Sequence, residues 1–445
     1  MNIKPKEHQI YLAFILVMPC CYFLVAFWTQ SFSFGFRQLR PWGRLFFGDA
    51  LVAGGLTLLL WYWQPRLLRL GPTLLRQISQ RAHGLFFGLL AVLAGMLFYR
   101  WHSVFYNPDA IWYAITFQKV VPLRGALVKY DEMLETFIHS RLWFYAQDWW
   151  GWSVYDTYRF CSALAGAMFI GLLGLWSRSL AGARALILVA LIASGGFMQL
   201  FFGEVENYTL VSVMILGYFW GAHQFVVQSK PLTLPAALLA LALCFHLLTG
   251  WLLPSFLFLI ILAIKRGKYG ELFWAGLIFG AIILGTILFF HTYYLSASNL
   301  IYDSFAFGHG GKIGRNFVTP TWDYYWQIFN LLFLLFPAWP IIIPLILYRR
   351  LRLTPYNGFL IIASLSMLLF ILTWKAALGP YYDWNLFAPA IIPFTLLVWI
   401  NFVAIRDLAY WPAIGFGLLF NSALPSYGWI IGNHYYRNIP EFLRY

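Results

Sequence analysis

Runs of apolar residues, each about 20 long and broken by short stretches rich in Arg, Lys, Gly or Pro, recur along the whole chain. At about 1.5 Å per residue, such a run is long enough to cross a hydrocarbon core of roughly 30 Å as a helix. The apolar residues follow one another without alternation, which predicts helices and argues against a barrel of about ten-residue alternating strands. The pattern predicts spans over 8–29, 45–63, 84–105, 156–176, 184–200, 207–228, 232–249, 251–264, 271–292, 326–347, 356–374, 387–404 and 410–430. Between the third and fourth spans, the stretch 131–145 mixes acids with apolar residues at helical spacing and predicts an amphipathic helix lying at the membrane interface.

Composition strengthens this picture. Of the 445 residues 61% are hydrophobic and 10% charged, with a mean hydropathy of +0.70, against roughly 25% charged in a soluble domain. No soluble domain of any size is expected, and the fold class is an all-α, polytopic transmembrane bundle of about 11 to 13 spans. Lys4 and Lys6 precede an apolar run from Ile10 to Trp28 that exceeds a signal-peptide core and lacks a small-residue cleavage site, so it is expected to be retained as the first span. Cys20, Cys21, Cys161 and Cys244 all lie in apolar runs without metal-ligand spacing, and are read as membrane packing. The net charge of +14 is scattered between spans rather than gathered on a soluble face. It reads as topology signals and phosphate contacts, not as a nucleic-acid surface.

With the N-terminus in the cytoplasm, the inside connections carry Arg66, Arg69, Arg76, Arg81, Arg178, Arg184, Lys230, Lys265, Arg266, Lys268, Arg349, Arg350, Arg352 and Arg406. This obeys the positive-inside rule, and the loop with Arg37, Arg40 and Arg44 is the exception. Most of the 16 acids then fall outside. Asp109, Asp131, Glu132, Glu135 and Asp148 lie in the 106–155 loop, Glu204 and Glu206 in a tight turn, Asp303 and Asp323 in the 293–325 loop, and Asp383 in the 375–386 loop. Carboxylates are costly near a bilayer, so their one-sided gathering marks a candidate site; for Asp148, Asp303 and Asp323, solvation is explanation enough.

Several motifs carry chemistry beside plainer readings. Asp109, in Tyr106-Asn107-Pro108-Asp109, is placed to act as a base, or else belongs to an Asx-Pro turn that ends a helix. Glu132, Glu135 and His139 share one helical face, to bind substrate or merely to meet headgroups. In Gly203-Glu204-Val205-Glu206-Asn207-Tyr208 two carboxylates and an amide are pinned at the membrane face. A turn with Asn207 capping the next helix needs only one polar residue, whereas paired acids can divide the work of deprotonating and orienting a hydroxyl. His246 ends an apolar run level with that turn, as a helix-end residue, an anion contact or a ligand. Glu204, Glu206 and His246 form a candidate set for a divalent cation, Mg or Mn, and no other cofactor is expected. Gly308-His309-Gly310-Gly311-Lys312-Ile313-Gly314-Arg315 offers flexible backbone and two cations to an anion, without Walker spacing. Lys375 and Asp383 flank a short aromatic outer turn suited to a sugar ring and a phosphate.

Acids for a base, cations for an anionic leaving group and aromatics for stacking, with no nucleotide site, point to a donor already carried across the membrane. The arrangement resembles the GT-C superfamily of polyprenyl-phosphate-sugar-dependent glycosyltransferases, which includes protein O-mannosyltransferases and the aminoarabinose transferase of lipid A. The resemblance rests on Asp109 directly after a span, the 131–145 helix, and the acidic turn at Glu204 and Glu206 two spans later. The chain also looks like bacterial multi-pass proteins with Gly-Tyr-x-Glu-Asn-Tyr and Asp-Trp-Asp-Leu-Phe motifs, with Glu204 in place of Tyr and Asn385 in place of the second Asp. Ala110 departs from the acid pair of O-mannosyltransferases, and Gly151 after Trp149-Trp150 departs from the Trp-Trp-Asp of oligosaccharyltransferases.

The resemblance implies two additional helices over 1–83 before a catalytic domain over 84–445, in a bacterial inner membrane with the site facing the periplasm. It implies sugar transfer to an acceptor hydroxyl of protein, lipid or glycan, with Asp109 or Glu206 as base beside Glu204. Glu132, Glu135, His139, Asn207, His246, Lys312, Arg315, Lys375 and Asp383 would contact substrate or lipid phosphate. A polysaccharide polymerase or ligase, a transporter or flippase, and a structural membrane subunit are the alternatives.

Overall fold

The computed structural model describes residues 7, 9–15, 17, 80–104, 108–129, 131–178, 180, 183–293, 321–376, 379–380, 383–405, 408 and 411–435. Among them the chain is helical without strands. In chain order the helices are α1 (Gln80–Arg100), α2 (Pro108–Arg124), α3 (Met133–Trp150), α4 (Val154–Ser177), α5 (Ala183–Ala193), α6 (Thr209–Gln228), α7 (Thr233–Phe245) and α8 (Leu253–Lys265). They continue as α9 (Tyr269–Tyr293), α10 (Trp322–Leu335), α11 (Ile342–Leu347), α12 (Pro355–Thr373), α13 (Trp384–Phe387), α14 (Ile392–Val403) and α15 (Trp411–Tyr435). Eight helical segments in the described residues are long and apolar enough to cross a membrane, or nine if the bent pair α10 and α11 counts as one span. The protein is a multi-pass membrane protein.

Neighbouring spans pack through small residues. α1 lies along α4, α4 along α6, α6 along α7 and α7 along α9. At the first of these seams Gly174 and Gly166 of α4 leave room for the rings of Phe87 and Phe98 of α1; a Cβ on Gly174 would come within 2.5 Å of Phe87. Close packing of this kind replaces a hydrophobic driving force that lipid does not supply. The segment Trp384–Val403 is almost wholly buried, whereas α9 has few fully buried residues.

Three predicted spans are broken, each for a local reason. The 184–200 run is helical only to Ala193; Gly195 is extended and Gly196–Phe201 form a 3-10 turn, with Gly196 pressed against the Leu334 carbonyl. The runs 232–249 and 251–264 resolve into the short α7 and one longer segment, Leu247–Lys265, because His246 adopts φ −156° and ψ 128° and ends α7. Between α10 and α11 the chain bends by 91° across Pro337 and Pro340, where a missing N–H and the proline ring break the helical ladder. α2 is an addition: Pro108 and Asp109 begin a helix rather than end one, with proline in its first turn and an acid at its positive end. The runs 8–29 (beyond 9–15 and 17) and 45–63 and the 294–320 stretch holding Lys312 and Arg315 lie outside the described residues.

The two ends of the bundle differ in charge. One end holds Arg178, Arg184, Lys230, Lys265, Arg266, Lys268, Arg349, Arg350 and Arg352, and there Glu7 accepts a forked pair of bonds from Arg350 at 2.8 and 2.6 Å. The other end gathers α2, α3, the 203–208 turn, His246 and Asp383.

Candidate functional site at the acidic end

The site is built on the two helices α2 and α3 pressed against the ends of α4, α6 and α7. Gly203 opens the acidic turn with φ +75°, a left-handed conformation that favours glycine, and a Cβ there would come within 2.6 Å of the His102 Cβ. Ser162 on α4 fixes this turn, donating to the Leu200 carbonyl at 2.6 Å and accepting from the Gly203 N–H at 3.0 Å. The Leu247 N–H donates to the Asp131 carbonyl at 2.9 Å, which ties the start of α3 to the linker behind His246.

Glu132, only 4% exposed, is the hub. Its Oε2 accepts from Tyr113 Oη at 2.7 Å and from Asn207 Nδ2 at 2.6 Å, and lies 3.2 Å from Lys129 Nζ. Lys129 also donates to Tyr113 Oη at 3.0 Å, and Tyr158 donates to Asn207 Oδ1 at 3.0 Å. Burial raises the Glu132 pKa, but Lys129, His246 and the bonds from Tyr113 and Asn207 outweigh it and hold the carboxyl below its ordinary range. Burial likewise works against the Lys129 ammonium, yet Glu132 and Asp131 keep it charged well above neutrality. Glu132 is thus a fixed anion and a poor base.

Other acids converge on the same place. The Tyr208 hydroxyl is kept protonated first by burial and then by the fields of Glu132, Glu206, Asp383 and Asp109, so carboxylates from four segments act on one group. Tyr113 feels Glu206 as well as Glu132. Glu206 and Asp383 are buried, at 3% and 6% exposure, while Asp109 is half-buried. Burial raises the Asp109 pKa, against Lys129 and with Glu132.

Three predicted site residues take structural places. Glu135 does not reach the cluster; its carboxylate accepts from the N–H groups of Leu210 and Val211 at 2.8 and 3.0 Å and from Thr209 Oγ1 at 3.1 Å, capping the N-terminus of α6. Burial pushes its pKa up to about 8 against those bonds. His139 donates from Nδ1 to the Glu135 carbonyl at 2.8 Å and stacks on Tyr158 at 4.2 Å and 7°, and burial lowers its pKa to about 4, so it packs as a neutral ring. Glu204 is buried beside Gln199, with its pKa raised by burial to about 8 and lowered in part by that amide. Residues two apart in the turn therefore serve different surroundings.

Among the described residues no three His, Cys, Asp or Glu side chains come together to hold an ion, and Glu204, Glu206 and His246 form no such group. The physical reason is that His246 faces Glu132, at 3.6 Å, while Glu204 sits with Gln199. Lys375 is exposed at the same end of α12 as Asp383. Lys129, Tyr113 and Tyr158 escaped sequence reasoning. Lys129 had a legible signal, three residues before Glu132; Tyr113, four after Asp109, becomes visible once α2 is recognised as a helix; Tyr158 had none.

No protein family profile matches the chain. No curated protein matches it by sequence. By structure it is similar to ArnT from Cupriavidus metallidurans, whose crystal structure is bound to undecaprenyl phosphate: the TM-score is 0.53 at 11% identity, over 78% of this chain and 77% of that one. The all-helical membrane architecture expected from the sequence is therefore present, and the chain has an ArnT-like fold.

Proposed function

We propose that this protein is a glycosyltransferase that moves a sugar from a polyprenyl-phosphate donor to an acceptor hydroxyl at the exoplasmic membrane face. The observation that carries the reading is the ion pair of Lys129 with the buried Glu132, at the same acid-rich end of an ArnT-like membrane fold as Asp109, Glu206 and Asp383. The neighbour's bound undecaprenyl phosphate supports a lipid phosphate as the partner. Ionisable groups gathered at one end, rather than at the bundle's midplane, favour surface chemistry over transport.

In the reaction the acceptor oxygen attacks the anomeric carbon in line. Its proton passes to Asp109 or Glu206, the bond from anomeric carbon to phosphate oxygen breaks, and the lipid phosphate departs with the electron pair. Lys129 faces the phosphate as a permanently charged contact, and Lys375, Lys312 and Arg315 are further candidates for it. Glu132 orients Lys129 and Tyr113 instead of accepting the proton. Separate Asp109→Asn and Glu206→Gln variants, reconstituted with radiolabelled undecaprenyl-phosphate sugars, test the scheme through release of the lipid phosphate. At least one is expected to lose 100-fold or more, on the order of a general base's contribution; full turnover in both overturns it.

A further inference from the structure

His246 carries an unused donor, and its tautomer can be assigned. The Leu248 N–H donates to Nδ1 at 3.0 Å, so Nδ1 is an acceptor and the ring proton resides on Nε2. That N–H has no hydrogen-bond partner, although the side chain is only 8% exposed. It faces Glu132 Oε1 at 3.6 Å, beyond hydrogen-bond reach. The contacts of Tyr113, Asn207 and Lys129 with the Glu132 carboxylate all fall on Oε2, and Oε1 is the oxygen that faces the imidazole. The ring cannot easily turn away: it stacks on Tyr208 at 5.0 Å and 27°, and the Leu248 N–H holds its Nδ1 edge.

A buried donor and a buried anionic acceptor held this far apart select their ligand by chemistry. An oxygen seated off the line between them can lie about 2.9 Å from both. It must accept from Nε2 and donate to Oε1. A phosphate or carboxylate has no proton to give and meets the Glu132 charge, and an ammonium has no lone pair for Nε2. A hydroxyl does both. Asp131, whose Oδ1 is also buried without a hydrogen-bond partner, acts electrostatically on the same imidazole.

We infer that His246 Nε2 and Glu132 Oε1 form a two-point clamp for a hydroxyl of the transferred sugar, making His246 a specificity-determining residue. This rests on the proposed glycosyl transfer and assigns the sugar pocket within it. The clamp predicts that a sugar adds affinity to the lipid phosphate, and that the addition depends on His246.

The full-length protein in nanodiscs, titrated with undecaprenyl phosphate and with undecaprenyl phosphate bearing glucose, mannose, galactose or arabinose, tests it. At least one sugar lipid is expected to bind more tightly than the bare lipid. His246→Phe, which keeps a ring against Tyr208, should weaken that sugar lipid by about tenfold or more while leaving the bare lipid within about twofold. His246→Gln, whose amide restores a donor near Nε2, should recover part of the loss. Equal weakening of both lipids, no weakening, or no sugar-dependent gain in the wild type overturns the clamp. Wild-type protein that binds none of these lipids, the bare phosphate included, overturns the glycosyltransferase reading itself.

Discussion

The residues of the site divide by what burial does to their charge. Lys129, partly exposed, and the buried Glu132 neutralise each other and stay ionised, whereas Asp109, half-buried with less compensation, has a raised pKa. A base works only when deprotonated, so if Asp109 takes the proton, turnover falls as pH drops through a point above the ordinary aspartate value of about 3.9. Rate against pH for wild type and Asp109→Asn checks this: the variant should lose both rate and that acid limb, and an unchanged limb assigns the base to Glu206. Lys129→Met removes the charged partner of Glu132 and of the departing phosphate. A loss of tenfold or more in turnover is expected, and an unchanged rate removes Lys129 from the phosphate site. Sequence spacing singled out Glu132, Asp109 and Glu206 as candidates, because scarce acids between apolar runs stand out. It gave no sign that Glu135 caps α6, since its partners Leu210 and Val211 lie 75 and 76 residues further along the chain.

At the scale of the helix, acid-end geometry depends on α3 and α6 being joined through Glu135. Glu135→Ala leaves two buried N–H groups at the start of α6 without an acceptor and should cost about 1–3 kcal/mol. Glu135→Gln keeps an acceptor oxygen and should cost less. Thermal unfolding in detergent measures both, and equal stability of the alanine variant and wild type would deny the capping role. With its folded pKa about 8, above the unfolded value near 4.5, Glu135 binds its proton more tightly when folded. Its contribution to stability is complete below the unfolded pKa and is lost as pH rises through about 8. Long apolar runs made α1, α4, α6, α9 and α12 legible within a few residues. α2 was hidden because it is short, mixed in polarity and carries Pro122 within it, and the bend after α10 depends on prolines that a hydropathy window averages away.

For the whole molecule, the separation of charge between the two ends is the feature most open to test. Trp149, 70% exposed at the end of α3 just before α4, and Leu353, 89% exposed in the connection after Arg352, lie at opposite ends of the bundle. Single cysteines at these positions, in a background where the native cysteines are replaced, should react with impermeant maleimide from opposite compartments. Labelling from the same side would refute both the topology and the exoplasmic placement of the chemistry. The hydropathy pattern made the helical, membrane-crossing character of the chain readable because the bilayer imposes an apolar length locally. It could not reveal which outer segments meet, since the contacts of Tyr158 with Asn207 and of Asn207 with Glu132 cross 49 and 75 residues.

α3 is fastened at its start, by the Asp131 carbonyl to the His246 linker and by Glu135 to α6. A helix riveted at neighbouring points behaves as a stationary wall and not as a door. On the proposed function, the greasy tail of the donor then remains among lipids throughout turnover, and only its head slides sideways past that wall into the pocket.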